Sequence, residues 1–220
     1  LYLAMIYNGV FQRSIFTKIH LTNQLTKGFI LLVTVILLHT NSTVMAQGLP
    51  YKEIPSYPAD YTPGNIVART IDGLGYRYYW ATEGLSEHDL NFKPSDDART
   101  TLETLEHLYG LSDMIYNAAS GKPNHRPADF SGKSLSELRQ ITLNNLLQSS
   151  ILMAEKTAED IAKLNIVFKN ERGSNEFAYW HMLNGPLADA LYHTGQVVSF
   201  RRSSGNPMNP KVNVFMGKTR

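Results

Sequence analysis

The chain has 220 residues, 43% of them hydrophobic, and a formal net charge of +2. That is enough for one ordinary domain with a short extension and a sizeable core, and it excludes wholesale disorder. Cysteine is absent, which excludes disulfide staples, thiolate zinc sites, thiol catalysis and a lipoprotein anchor.

Residues 1–46 carry Arg13, Lys18 and Lys27 but no acid, so the remainder holds 18 basic residues against 19 acidic, a net of −1. With no basic run denser than Arg201-Arg202, a nucleic-acid partner is not expected. Residues 29–38 (FILLVTVILL) form an uncharged apolar run between Lys27 and the polar His39-Thr40-Asn41-Ser42. A membrane span needs about 20 residues, whereas this run has the length of a signal-peptide core. Val44-Met45-Ala46 places compact side chains at the expected cleavage site, with Gln47 as the new N-terminus. Export, most simply to a periplasm and with no lasting membrane anchor, is the expectation; an uncleaved anchor is the alternative. The stretch before Lys27 is long for the leader of a signal and opens on Leu, as a start placed too far upstream would give. No function is read from residues 1–26.

Residues 47–64, with Pro50, Pro55, Pro58 and Pro63 and three tyrosines, read as an extended arm on the domain surface. The domain proper is expected over residues 65–206, with a tail at 207–220. Val67, Ile71, Leu74, Tyr78, Ala81 and Leu85 recur at spacings of four and three, predicting a first amphipathic helix. Gly73 and Gly75 weaken it by about 1 kcal/mol each relative to Ala. Tyr76, Tyr78, Tyr79 and Trp80 belong to core or interface, and a homodimer through this helix is one expectation. The second helix opens on a capping-box spacing, Thr100-x-x-Glu103, and carries a stripe of Leu102, Leu105, Leu108, Tyr109, Leu111 and Ile115. The connection at 118–133 is long enough to cross the end of a bundle. Ser134-x-x-Glu137 opens a third helix, with apolar positions Leu138, Leu143, Leu147, Ile151, Ala154, Ala158 and Ile161. A final helical region runs from Glu176 to Ser203, kinked or restarted at Asn184-Gly185-Pro186. No strand pair competes. The expected fold is all-α, a four-helix bundle with a long crossover loop between helices two and three.

Asp189 and His193 stand four residues apart, hence one turn apart on one face of the last helix, together with Pro186, Gln196 and Phe200. A carboxylate and an imidazole among apolar neighbours are expensive unless paired or bound to a cation. One helix offers two ligands, so a third must come from a facing helix. His107 is the candidate, with Glu103, Leu111 and Met114 on its face and Gly110 leaving open space. Two imidazoles and a carboxylate suit zinc, nickel or iron(II). The alternative from these residues alone is an Asp–His hydrogen bond with an unrelated His107.

Residues 180–205 (WHMLNGPLADALYHTGQVVSFRRSSG), above all His193-Thr194-Gly195-Gln196, resemble the last helix of the DinB-like family of four-helix-bundle metalloenzymes. Leu105-Glu106-His107-Leu108 resembles that family's second-helix motif, and Trp80, Gly84-Leu85, Asp89-Leu90 and Phe92-Lys93-Pro94 stand where such proteins end helix one and turn. The resemblance spans about residues 65–206. It implies a divalent metal between helices two and four, held at the positions of His107, Asp189 and His193. Asp189 departs from the histidine more common there, which puts the identity of the metal in doubt.

Beside this trio, Glu103 and His181 are candidate proton carriers. Glu103 already has a capping role, and His181, two turns before Asp189 and across the Gly-Pro break, is more naturally an end-of-bundle polar group. Arg201 and Arg202 complement the dipole of the last helix or meet an anionic substrate. Three functions follow: a metal-dependent hydrolase or transferase of a small molecule, a non-catalytic metal or ligand-binding module, and a structural bundle. A cleft open to the metal favours the first, and histidines far apart would leave only the last.

Overall fold

The computed structural model describes residues 48–220; the export signal predicted within residues 1–46 lies outside the described residues. In chain order the elements are α1 (Pro63–Thr82), α2 (Glu87–Asn91), α3 (Thr101–Ala119), β1 (Asn124–His125), α4 (Leu135–Met153), α5 (Ala158–Ile161), β2 (Asn165–Asn170), β3 (Gly173–Ala178), α6 (Trp180–Met182), a wide π-type turn at Leu183–Leu187, α7 (Ala188–Ser203), β4 (Val212–Asn213) and β5 (Lys218–Thr219). The described chain is mainly helical, and no helix in it is long and apolar enough to cross a membrane.

The long helices α1, α3 and α4 each start on a side-chain cap. The Thr62 hydroxyl accepts from the Asn65 N–H at 3.1 Å, and Pro63 occupies a first-turn position where a missing donor costs nothing. Both capping boxes close: Glu103 N donates to Thr100 Oγ1 and Thr100 N donates to Glu103 Oε2, and Ser134 and Glu137 repeat the pattern. Gly84, at φ +70°, lets the chain turn away after α1.

The stripes of the first two helices are buried as expected, with Ile71, Leu74 and Tyr78 of α1 and Leu105, Leu108 and Ile115 of α3 essentially without exposure. The third stripe is corrected. Ile151 is 58% exposed and Ala154 lies outside the core, while Leu143, Leu146, Ser150 and Met153 face inward. Repeated spacings of four precess by about 40° per step on an α-helix, whereas the buried set alternates three and four. Helix α4 also ends at Met153; Glu155 turns at φ +65° and Ala158 and Ile161 belong to the separate short α5.

Helix α1 packs on α4 and α7, and α3 packs on the same two, so the cyclic order is α1–α4–α3–α7. The connection between α3 and α4 thus joins neighbours, and the expected crossover does not occur there. Its length supplies β1 and the side chain of Phe130 instead.

A strand pair is present where none was expected. β2 and β3 form an antiparallel hairpin in register from Asn165↔Ala178 to Asn170↔Gly173, and β1 adds in parallel to β2. The turn closes as Asn170 Oδ1 accepts from Arg172 N at 2.8 Å. Asn124, buried, donates to the Val167 carbonyl and accepts from Asn117, tying the hairpin to α3. The last helical region consequently begins at Trp180 rather than Glu176.

The arm is only partly superficial. Tyr51 is 4% exposed, its ring lies over Gly75 of α1, and its hydroxyl donates to Asp72 at 2.9 Å. Burial raises the pKa of Asp72 despite bonds from Ser150 and Tyr51. Tyr76 and Tyr78 are fully buried in the chain's own core. Arg201 is buried as well: its Nη1 donates to the carbonyls of Trp80, Ala81 and Glu83, so it caps α1 rather than its own helix or an anion in solvent.

Candidate metal centre

His107 projects from the middle of α3 toward the first turn of α7, where Asp189 and His193 stack one turn apart. His107 Nε2 lies 3.2 Å from Asp189 Oδ2, and His193 Nε2 lies 3.3 Å from Asp189 Oδ1. The imidazole centroids are 4.6 Å apart with the rings perpendicular. His107 is therefore not an unrelated histidine. One ligand atom from each of the three residues falls within 4.8 Å of the others, the only such group of three among the described residues.

The donor set fits a divalent ion. Ligand bonds of about 2 Å in tetrahedral array put donors roughly 3.3 Å apart, and Asp189 meets each histidine at about that distance through a different carboxylate oxygen. The tautomer points the same way. His193 Nδ1 donates to Gln196 Oε1 at 2.7 Å, and the Gln196 amide donates in turn to the Tyr192 hydroxyl at 3.3 Å. In the neutral ring that contact places the proton on Nδ1 and leaves Nε2 bare toward a carboxylate oxygen. In that state a cation between the two would satisfy both lone pairs. Burial, opposed by the hydrogen bond to Asp189, lowers the pKa of His107 from its ordinary value, with the charge of Arg99 acting in the same direction as burial. This favours the neutral ring that a metal requires.

The trio is half-open, with side-chain exposures of 32% for His107, 43% for Asp189 and 13% for His193. His107 and Asp189 form part of the wall of a cleft of about 700 Å³. The hairpin contributes Ile166, Phe168 and Phe177 to its lining, and the wide turn contributes Asn184, Gly185 and Pro186. His181 also lines the cleft, its ring 5.9 Å from that of Phe177.

Glu103 does not share the cleft. Its carboxylate is held by Thr100 in the exposed capping box, and those bonds lower its pKa. Gly110 does not open the site either; the ring of Phe130 sits 3.1 Å from where a Cβ would stand. Sequence reasoning missed Phe168, Phe177, Asn184 and Tyr192 as cleft residues. For the first two the signal was the β-prone Ile166-Val167-Phe168 run ahead of Asn170 and Gly173.

Compared with known proteins, the chain matches no family model, and neither a curated protein nor a solved structure shows significant similarity to it.

Proposed function

We propose that this chain is an exported metal-dependent enzyme, a hydrolase or transferase acting on a small molecule, built as a four-helix bundle of the DinB-like type. The observation that carries the reading is the convergence of His107, Asp189 and His193, from two helices, within 4.8 Å, with His107 and Asp189 on the wall of an open cleft. A closed cluster would favour storage of an ion; this one leaves room for a reactant beside the ligands.

His107, Asp189 and His193 would hold zinc, nickel or iron(II). Such an ion supplies Lewis acidity, acidifying a water or polarising a carbonyl or phosphoryl oxygen. Gln196 holds His193 in the tautomer that presents Nε2, and Asp189 offsets part of the ion's charge. His181, which also lines the cleft and makes no side-chain hydrogen bond among the described residues, is the proton carrier; Glu103, engaged at the helix end, is not.

Metal content of the purified protein tests this, measured by elemental mass spectrometry beside His193→Ala and Asp189→Ala. About one equivalent, lost in both variants while the helical circular dichroism persists, supports the site and justifies a screen for hydrolase activity. A protein that takes up no metal after reconstitution refutes it.

A further inference from the structure

The cleft beside the trio has a chemical character of its own. Leu111 and Met114 of α3 line it together with Ile166, Phe168 and Phe177 of the hairpin, and among the described residues neither a lysine nor an arginine does. Arg126 stacks on the Phe168 ring at 5.2 Å without joining the lining, and Arg99 acts on His107 from outside it. A phosphate or carboxylate placed here, away from the ligands, would lose its water with no cation in return. An apolar group loses nothing.

The aromatic side chains of the lining fall into two edge-to-face runs. Phe168, Phe177 and His181 form one, with centroid separations of 6.0 and 5.9 Å. Tyr192 and His107, which also line it, each meet the His193 ring edge to face, at 5.2 and 4.6 Å. Phe177 is 44% exposed and Tyr192 is 63% exposed, so both present open ring surface. Such surfaces receive a planar apolar group in stacked or edge-on contact. The polar lining other than the ligands is sparse, chiefly His181 and Asn184, enough to orient a neutral hydrogen-bonding group.

We infer that the substrate is a neutral molecule with an aromatic or similarly planar apolar portion, seated between the hairpin phenylalanines and Tyr192 with its reacting group at the trio. This rests on the metal-site reading above. The hairpin is then the specificity element, and Phe168 and Phe177 set which molecules enter.

The test uses the full chain loaded with zinc and three chelating probes: acetohydroxamate, benzohydroxamate and 4-carboxybenzohydroxamate. Zinc content is measured first. Burying the phenyl ring makes benzohydroxamate bind about tenfold more tightly than acetohydroxamate. Phe168→Ala and Phe177→Ala reduce that ratio to about twofold, while zinc content and acetohydroxamate affinity stay unchanged, which excludes a folding defect. The carboxylated probe binds more weakly than benzohydroxamate. Equal affinities for the first two probes, or tighter binding of the carboxylated one, overturn the inference with the metal site intact. Failure to hold zinc overturns both, and is recognised before any probe is added.

Discussion

Gln196 and His193 face each other one turn apart on α7, the amide oxygen 2.7 Å from Nδ1, so the imidazole is held with its other nitrogen turned to Asp189 and His107. Partners of this kind are worth about 10–100-fold in metal affinity. Gln196→Leu is expected to weaken metal binding by about that factor while leaving the helical content unchanged. Gln196→Glu, which still accepts from Nδ1, restores it. Competition against a chelator of known affinity reads both, and an unaltered affinity in the leucine variant would mean that the contact is idle.

Gly75 reverses the usual rule for helices. Replacing a mid-helix glycine by alanine gains about 1 kcal/mol from propensity alone. Here a Cβ would stand 2.4 Å from the Tyr51 ring. Gly75→Ala is expected to destabilise the protein by about 1–3 kcal/mol in urea unfolding. A second substitution, Tyr51→Ala, should turn the penalty of the alanine at 75 into a gain, because the obstructing ring is gone.

Asp89 gathers donors from three residues in two segments: Ser86, and Ser204 and Asn206. Burial works against its carboxylate, but these bonds prevail and hold its pKa well below the usual range. The unfolded chain therefore takes up this proton first as pH falls. The stabilisation is complete above the unfolded pKa of about 4 and is lost as pH drops from there through the folded value. Asp89→Asn is expected to cost about 2 kcal/mol at neutral pH. The gap between variant and parent should narrow below about pH 4, and a gap of constant size would contradict this account.

Arg201 joins α7 to the end of α1 through three carbonyls, and Nε donates to the Asn206 carbonyl at 2.7 Å. A lysine keeps the charge but not the planar fork. Arg201→Lys is expected to lose about 2–3 kcal/mol of stability by thermal or urea unfolding, with metal stoichiometry unchanged since the ligands lie two turns or more away.

Where periodicity and caps act locally, the sequence was readable. Thr100-Glu103 and Ser134-Glu137 mark helix starts because the same few atoms satisfy the same orphan N–H groups in any fold. His107, Asp189 and His193 were legible through i,i+4 spacing and the resemblance to a known motif. The hairpin was not, since β2 and β3 are each six residues long and β3 is exposed throughout, leaving no alternating stripe to find. Phe130 filling the space at Gly110, and Arg201 reaching back to Trp80, depend on contacts across the fold that no local pattern encodes.

The wide turn at Leu183–Leu187 alters the phase of everything before it. In an unbroken α-helix, Asn184 and Asp189 would point about 140° apart. With Gly185 at φ −97°, ψ −107° and the turn closing over five residues rather than four, both line one cleft. The segment 183–187 thus acts as a one-residue insertion that rotates His181 and Asn184 into line with the ligands. Deleting a residue from it, or replacing Gly185-Pro186 by Ala-Ala, would give a more regular helix and swing the two polar groups out of the cleft, leaving the trio whole but facing an empty wall.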